Sequence, residues 1–170
     1  MQRKSSRSFS KQELPLQELS NLLWAGCGIS RPESGKRTAP SAMNWQEVDI
    51  YVALKRGTYI YEAKTNSLVP VFTQDIRAKT GSQDFVADAP VNLIFVADYS
   101  KMNDRPKEML AMYAGTDTGF ISENIYLYCA SAGLGTVVRG MFDREELKTL
   151  LSLPENKNVV FTQTVGYIAP

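Results

Sequence analysis

The sequence predicts an α+β fold, and three features lead to that prediction. Apolar residues recur at every second position of 48–54, which predicts a strand, and Arg56-Gly57 turns this strand into a hairpin partner at 58–63. Residues 91–97 are almost all apolar, which is typical of a central strand covered on both faces. The helical patterns are segregated from the hairpins, and this arrangement indicates α+β.

The other elements follow from end signals and periodicity. Ser10 and Glu13 form a candidate capping box, leucines at helical spacing follow, and Gly28 suits a C-terminal end, so we expect a helix between them. Residues 29–40 carry Gly, Pro, Ser and basic residues and predict a loop. We further expect helices at 74–79, 107–113, 119–132 and 144–151, a turn at 64–67, and strands at 137–142 and 159–167. The helix at 119–132 is apolar nearly all round, so it should be buried, and the interior of a dimer would bury it.

The composition is that of a globular protein. Its 170 residues fit one domain, residues 1–170, and 44% of them are apolar and 22% charged. The net charge of +1 provides no broad field that would recruit nucleic acid or a membrane surface. No apolar run is long enough to span a bilayer, and the N-terminus does not resemble a secretory signal. We therefore expect a soluble protein, cytoplasmic by default, although the closeness of the first motif to Met1 leaves room for a removed signal or leading helix.

The inventory of reactive side chains is short. Histidine is absent, which excludes His-based catalytic triads, His-ligated zinc and imidazole acid–base chemistry. Cys27 and Cys129 could form one disulfide, but two buried thiols are the favoured interpretation. The carboxylates show no spacing that demands a metal or an acid–base pair, and we expect each to be solvated or capping; they are Asp84, Asp88, Asp98, Asp104, Asp117 and Glu123. A protein with this inventory would borrow a cofactor for difficult chemistry.

Three short segments offer groups that could hold a flat, phosphate-bearing ligand. The first contains Arg3, Lys4, Ser5 and Arg7, whose charged and hydroxyl groups can hold a phosphate and the electron-rich edge of a ring. The alternative is a frayed basic terminus. The second is Pro40-Ser41-Ala42-Met43-Asn44, hereafter the loop 40–44. Its proline fixes one backbone angle, its Ser and Asn can bond locally or to a ligand, and its alanine leaves the approach of a ring unobstructed. A loop-to-helix junction with Ser41 as N-cap is the alternative.

The third segment is Gly133-Leu-Gly-Thr-Val-Val-Arg-Gly140. It follows a helix and lacks a third glycine in register, so it is not the dinucleotide-binding fingerprint. A helix C-cap that leads into a strand explains part of it. In addition, Val138, Arg139 and Gly140 could present backbone N–H groups to a flavin ring. Together the three segments outline a site for flavin mononucleotide (FMN).

In this arrangement the sequence resembles the nitroreductase family of FMN-dependent oxidoreductases, particularly its short members. The likeness also includes Leu22-Leu-Trp-Ala-Gly-Cys-Gly28, Asp117-Thr-Gly-Phe-Ile-Ser-Glu-Asn124 and Val165-Gly-Tyr167, so it covers nearly the whole chain. The resemblance implies a nitroreductase-like fold with a central, mainly antiparallel sheet flanked by helices. It also implies a homodimer of interlocked subunits with two FMN sites at the interface.

The resemblance assigns the phosphate and pyrimidine contacts of FMN to the N-terminal segment. Arg3, Ser5 and Arg7 match these contacts, and Lys4 fills a basic or polar position there. Many members also carry Lys or Arg after the final strand, where this chain reads Ile168-Ala-Pro170. Arg3 and Lys4 would then hold more of the phosphate.

The resemblance assigns the remaining FMN contacts to the other two segments. Pro40, Ser41, Ala42, Met43 and Asn44 match the loop that contacts FMN from the other subunit. The segment 138–140 matches the backbone that approaches the flavin N5 atom, although the stretch 133–140 is about one residue shorter than in other members.

The resemblance further implies that the cofactor, and no side chain or metal, carries the chemistry. NAD(P)H as co-substrate would pass a hydride to N5 and leave before a small-molecule acceptor such as a nitroaromatic or quinone took its place, which predicts ping-pong kinetics. Three alternatives stay open. The first is a specialised flavin dehydrogenase that acts on azolines, iodinated aromatics or flavin itself, and the second is a non-catalytic FMN-binding protein. The third is a purely structural domain with no cofactor.

Overall fold

A computed structural model describes residues 3–169, and its main feature is an antiparallel sheet with helices packed on it. In chain order the elements are α1 (Leu16–Cys27), β1 (Ile29–Arg31), β2 (Lys36–Arg37), β3 (Val48–Leu54), β4 (Gly57–Glu62), β5 (Ser67–Phe72), α2 (Phe85–Asp88), β6 (Val91–Asp98), α3 (Lys107–Ala132), β7 (Leu134–Arg139), α4 (Arg144–Leu150) and β8 (Lys157–Tyr167). Strands β3 to β8 form a six-stranded sheet in the order β5-β4-β3-β6-β8-β7. Its neighbouring strands pair antiparallel, as expected.

Strand β6 forms the centre of this sheet, between β3 and β8. All of its residues are buried. Leu93 and Phe95 belong to the apolar cluster that includes residues of α1 and α3, whereas Ile94 and Val96 belong to the cluster around α4. Both faces of β6 are therefore covered, which confirms the prediction from its continuous apolar run.

The hairpin of β3 and β4 also agrees with the sequence, whereas β5 was not anticipated. Leu54 pairs with Gly57 at the end of the hairpin. β5 then pairs with β4 as an edge strand that contains Pro70 and leaves most of its side chains exposed. An exposed edge strand needs no alternation of apolar residues, and proline is tolerated there, so the pattern gave no signal.

Helix α1 begins later than the candidate capping box predicts, and that prediction is wrong. Pro15 is the N-cap residue and the helix starts at Leu16. Ser10 instead donates its backbone N–H to the carbonyl of Tyr167, and its hydroxyl accepts the N–H of Gln12 in a local turn. The chain before Pro15 is thus tied to the end of β8 and cannot begin a helix.

Helix α3 is one continuous helix of 26 residues, not the two helices expected at 107–113 and 119–132. Gly115 and Gly119 lower the intrinsic helix propensity of the intervening stretch. Contacts of α3 with α1, β7 and β8 compensate, because helical stability in proteins comes mainly from packing. The helix ends at Gly133, whose φ of 71° is the left-handed conformation that glycine adopts readily. Its exposed side chains include Met112 and Phe120, so one chain alone does not bury it on all sides.

Three further expectations need smaller corrections. The stretch 29–40 contains the two-stranded ribbon of β1 and β2 rather than a plain loop. The expected helix at 74–79 is a 3-10 turn at Arg77–Thr80. β7 starts at Leu134, directly after the end of α3, and ends at Arg139, so the predicted strand at 137–142 was displaced. The predictions for α4 and β8 are confirmed to within two residues.

Both cysteines are free and buried, which confirms the favoured interpretation of two buried thiols. Over residues 3–169, no helix combines the length and the apolar character that crossing a membrane requires.

Candidate cofactor site

The N-terminal segment lies along the edge of the sheet, at the end where β7 begins and β8 ends. The backbone N–H of Ser6 donates to the carbonyl of Thr136 at 2.9 Å, and Phe9 forms an isolated bridge with Ile168. Ser6 and Phe9 are buried, whereas Arg3, Lys4 and Arg7 are exposed. The segment is therefore anchored through its backbone and apolar positions, and its basic side chains are directed outward.

The close approach of this segment depends on Gly135 in β7. A Cβ atom at position 135 would lie 3.0 Å from the Cβ of Ser6 and 2.9 Å from Cγ1 of Ile168. Only glycine leaves room for both neighbours without displacement. The glycine that the sequence pattern flagged therefore serves the docking of the N-terminal segment.

Tyr126 of α3 joins the N-terminal segment to β7. Its hydroxyl lies 2.9 Å from the Ser5 hydroxyl and accepts the backbone N–H of Val138 at 3.0 Å. The guanidinium of Arg3 stands 5.1 Å from the centre of the Tyr126 ring, within the range of a cation–π contact. The sequence did not single out Tyr126, because helical spacing marks it only as one more position of a largely apolar helix.

The positive charges of this region form no ion pair with the acidic groups of residues 3–169. In the described chain, Arg3, Lys4 and Arg7 take part in no salt bridge, whereas nearby Lys11 pairs with Asp88 at 3.1 Å. Exposed cations without a counter-ion form an electropositive surface that can receive a phosphate or another anion. Lys4 also lines a depression of about 130 Å³ together with residues of α3 and β7.

Successive residues of the segment 138–140 direct their backbone N–H groups to opposite sides of the strand. The N–H of Val138 points away from β8, toward Tyr126. Because successive residues of a strand point their N–H groups to opposite sides, that of Arg139 is directed toward β8. The Arg139 side chain is buried, where it donates to the carbonyl of Thr80 at 2.7 Å and to Oδ1 of Asn92 at 2.9 Å. Its guanidinium thus faces the protein interior, whereas Gly140 is exposed.

The loop 40–44 has a tightly determined backbone. Met43 and Asn44 have φ values of 51° and 56°, an uncommon conformation for residues other than glycine. The Ser41 hydroxyl accepts the N–H of Gln46 at 3.0 Å, and the N–H of Ala42 donates to Oδ2 of Asp117 at 2.8 Å. The Ser41 side chain accepts no capping hydrogen bond from the backbone N–H groups of the following 3-10 turn, so the N-cap alternative is not confirmed. The loop is therefore fastened to α3 through Asp117.

Within one chain, the loop 40–44 and the N-terminal segment do not meet. The loop contacts α3 at Asp117 and the N-terminal segment contacts it at Tyr126. Nine residues of α-helix correspond to about 13 Å along the axis and to two and a half turns, so the two contacts lie on opposite faces of α3. The three segments therefore form two separate groups in the subunit: the N-terminal segment with β7, and the loop 40–44 by itself.

This combination of a mainly antiparallel sheet, a basic N-terminal segment on its edge and a separate Pro-Ser loop has a close match among known proteins. The family described as the nitroreductase family matches residues 1–167. The chain belongs to the nitroreductase family. A Methanocaldococcus jannaschii protein named as a nitroreductase is 30% identical over 91% of this chain and 83% of its own length.

Solved structures of nitroreductase relatives have the same fold. A crystal structure named as that of a nitroreductase from Ralstonia eutropha JMP134 has 44% identity and a TM-score of 0.93, over 99% of this chain and 80% of that chain. The NADPH:FMN oxidoreductase of Vibrio harveyi has 23% identity and a TM-score of 0.71, over 98% of this chain and 66% of that chain. The nitroreductase fold that the resemblance implied is thus confirmed, and membership of the family supports a general oxidoreductase function.

One acidic residue of this nitroreductase-family chain contradicts the expectation from sequence. Asp84, Asp88, Asp104 and Glu123 are exposed, and Asp98 accepts the N–H of Ser100 as a cap, as expected. Asp117, in contrast, is buried with 3% of its surface exposed. The expectation of a solvated or locally capping carboxylate was wrong there, because Asp117 is the hydrogen-bond acceptor for a loop distant in the sequence.

Glu47 is a second buried acid, and the sequence did not single it out. It is fully buried at the start of β3 and lines the same small cavity as Asp117 and Ser41. Burial raises the pKa of Glu47 from 4.5 to about 7, and the neighbouring Asp117 carboxyl group adds to the rise. Sequence spacing gave no indication of this pair, because the two residues come together only in the folded chain.

Proposed function

We propose that this nitroreductase-family protein is an FMN-dependent oxidoreductase that passes a hydride from NAD(P)H, through the flavin N5 atom, to a small acceptor such as a nitroaromatic or a quinone. The observation that carries the proposal is the exposed cationic group of Arg3, Lys4 and Arg7 on the edge of the sheet, which forms no salt bridge in the described part of the chain. The NADPH:FMN oxidoreductase of Vibrio harveyi has the same fold, which is consistent with this activity.

The residues of the N-terminal group suit FMN. Arg3 and Lys4 would hold the phosphate as charged donors, Ser5 would add a hydroxyl, and Arg7 would face the pyrimidine edge. Gly135 supports this fit, because its missing Cβ lets the N-terminal segment lie close to β7. When bound, the flavin supplies the hydride acceptor and donor that the side chains of this histidine-free protein lack.

We further propose that the active form is a homodimer, each chain contributing one nitroreductase-like domain, with FMN between the two subunits. The loop 40–44 lies on the opposite face of α3 from the N-terminal segment, so it would complete the site of the partner subunit rather than its own. Trp24 of α1 and Phe120 of α3 are each 44% exposed, and such aromatic side chains are enriched at interfaces. A dimer interface would also cover the apolar side of α3.

The protein's own part in the reaction is binding and orientation. The cationic group would make the N1–O2 edge of the flavin electropositive, which favours the reduced, anionic ring. NAD(P)H and the acceptor would occupy the same face in turn, so we expect ping-pong kinetics. Water can supply the protons, and the absence of histidine is therefore no obstacle.

The first test is an absorbance spectrum of the purified full chain, incubated with FMN and freed of excess ligand. We expect the two absorption bands of oxidised flavin, which should bleach when NADH or NADPH is added under argon and return when a quinone is added. A retained flavin that neither nucleotide bleaches would favour a specialised dehydrogenase or a non-catalytic FMN-binding protein. Failure to retain FMN under any condition would overturn the proposed function.

In the same experiment, a matched pair of variants tests whether FMN binds at the N-terminal segment. Arg7→Ala removes a cation of the group Arg3, Lys4 and Arg7, whereas Lys11→Ala removes an exposed cation four residues later that already pairs with Asp88. We expect only Arg7→Ala to weaken FMN binding. Equal effects of both would mean that general positive charge, not this site, attracts the cofactor.

A further inference from the structure

A pair of buried carboxyl groups lies beneath the loop 40–44. Glu47 is fully buried and Asp117 is 3% exposed. Both line a cavity beside Ser41, so the two carboxyl groups face the same enclosed space. Two carboxylates have acceptors only, so two such groups can lie side by side favourably only if one of them carries a proton.

The groups that favour a negative charge on Glu47 are its own backbone N–H and Lys101, and they do not outweigh its burial. In the part of the chain that the structure describes, no donor reaches either of its carboxyl oxygens. An ionised carboxylate buried without donors is strongly disfavoured, and a second carboxyl group beside it increases the cost. Among residues 3–169, no group of three acidic or cysteine ligands could replace the proton with a metal ion. The burial therefore favours the neutral form of Glu47.

The other charged and titratable groups around Glu47 are already engaged. Lys101 acts against the rise in pKa, but its ammonium group forms a salt bridge with Asp49 at 3.0 Å. Arg37 donates to the sulfur of Cys27 at 3.0 Å. Burial raises the pKa of the Cys27 thiol, so this group stays neutral. None of these side chains supplies Glu47 with a hydrogen bond.

The acid pair is coupled to the loop through Asp117. The carboxyl group of Asp117, which lines the cavity with Glu47, accepts the N–H of Ala42 at 2.8 Å. Met43, Asn44 and Gln46 have φ values between 50° and 56°, so this backbone depends on its surroundings to hold an unfavourable conformation. A shift of Asp117 would remove the acceptor that fastens Ala42.

We propose that Glu47 and Asp117 share one proton, and that this proton holds the loop 40–44 in its flavin-binding shape. Glu47 and Asp117 are positioning residues in this scheme. The inference rests on the proposed function, because it concerns the regulation of FMN binding at the same site. Loss of the shared proton would set two negative charges against each other, displace Asp117 and release Ala42. FMN binding should therefore weaken as the pH rises through neutrality.

The test compares FMN affinity across pH in the wild-type chain and in Glu47→Gln. Glutamine has the shape of the protonated acid and can donate to Asp117 at every pH. Between about pH 6 and about pH 8.5, we expect the dissociation constant of the wild type to rise about tenfold more than that of Glu47→Gln. The FMN phosphate also titrates near this range, but it does so equally in both proteins. Identical pH profiles would overturn the proposal.

A second variant keeps the proposal testable if Glu47→Gln does not fold. Asp117→Asn retains an acceptor oxygen for Ala42 and can donate its amide to Glu47, so it needs no shared proton. We expect this variant also to lose the additional pH dependence of FMN binding. A wild-type pH profile in Asp117→Asn would contradict the role of the pair.

A measurement on the protein without flavin separates this inference from the proposed function. In a carbon-13-labelled chain, we expect the Glu47 carboxyl resonance to titrate near neutral pH and the Ala42 amide resonance to shift with it. The inference would be overturned if the Glu47 carboxyl resonance titrated in the ordinary range of glutamate. It would also be overturned if the Ala42 amide resonance did not shift with that titration. If both resonances behave as expected but FMN does not bind at any pH, the proposed function fails while the acid pair and its control of the loop stand.

Discussion

The N-terminal segment and the loop 40–44 have related proposed roles but opposite electrostatic designs. The N-terminal segment places three exposed cations at the surface, and none of them forms a salt bridge within residues 3–169. The loop 40–44 rests on two carboxyl groups that are almost completely removed from water. One region keeps its charge available for a ligand, whereas the other suppresses charge to keep a backbone in place.

This difference determines which substitutions each region should tolerate. Exposed cations cost little to solvate, so removing one should affect the ligand and hardly affect folding. A buried acid is coupled to folding through its protonation, so changing it alters the free energy of unfolding in a pH-dependent way. Function and stability should therefore be separable at the N-terminal segment and linked beneath the loop.

The largest expected effect concerns the stability of Glu47→Gln. The pKa of Glu47 is about 7 in the folded chain against the ordinary 4.5, so folding favours the protonated form. Its contribution to stability is complete below about pH 4.5 and is lost as the pH rises to about 7, which amounts to about 3 kcal/mol. Glutamine does not titrate. Relative to the wild type, the unfolding free energy of Glu47→Gln should therefore increase by about 3 kcal/mol over this range, measured by urea denaturation.

The same experiment can also contradict this prediction. All other titrating groups are shared by the two proteins, so their contributions cancel in the difference. A difference in unfolding free energy that stays constant with pH would show that Glu47 ionises in the folded state as it does in the unfolded state. The contrast between the two regions would then disappear.

The next largest effect is expected for Arg7→Ala. A hydrogen bond from a charged donor contributes about 1.5–3 kcal/mol, so FMN should bind about 10- to 100-fold more weakly. The reduction potential of the bound flavin should also fall, because a cation that stabilises the reduced ring is lost. Titration of FMN and a redox titration measure the two effects. Since Arg7 is exposed, the unfolding midpoint should not change, and a large loss of stability would contradict the proposed division of roles.

A smaller effect is expected for Tyr126→Phe, which removes one hydroxyl and keeps the ring beneath Arg3. The hydroxyl bonds to Ser5 and accepts the N–H of Val138, so its loss should lower the unfolding free energy by about 1 kcal/mol. FMN binding should also weaken, because Ser5 loses its fixed position. Tyr128→Phe is the matched control, since its hydroxyl donates to Glu18 of α1, away from the N-terminal segment. If the two variants affect FMN equally, Tyr126 has no special part in the site.

Elements with strong local patterns could be predicted from the sequence. The continuous apolar run of β6 reports the burial of both strand faces directly. The alternation in β3 indicates a strand, although the fold buries nearly all of its residues on both faces. The start of α1 and the continuity of α3 could not be predicted in this way. Ser10 is bonded to the end of β8 instead of capping a helix, and the glycines of α3 are held in the helix by packing on α1 and the sheet. In both cases a contact distant in the sequence overrides the local signal.

The candidate site likewise has features that the sequence predicts and features that only contacts between distant residues create. The sequence alone determined the basic group Arg3, Lys4 and Arg7, the Pro-Ser loop and the order of the motifs, because these are properties of residue type and spacing. Only the tertiary structure decided that Tyr126 joins Ser5 to Val138, and that Asp117 fastens Ala42 across 75 residues of chain. It also decided that Glu47 is buried with no hydrogen-bond donor to its carboxyl oxygens among residues 3–169. Hydrogen-bond partners and pKa values depend on which distant residues meet and on how much water the fold excludes, and neither can be read from the local order of residues.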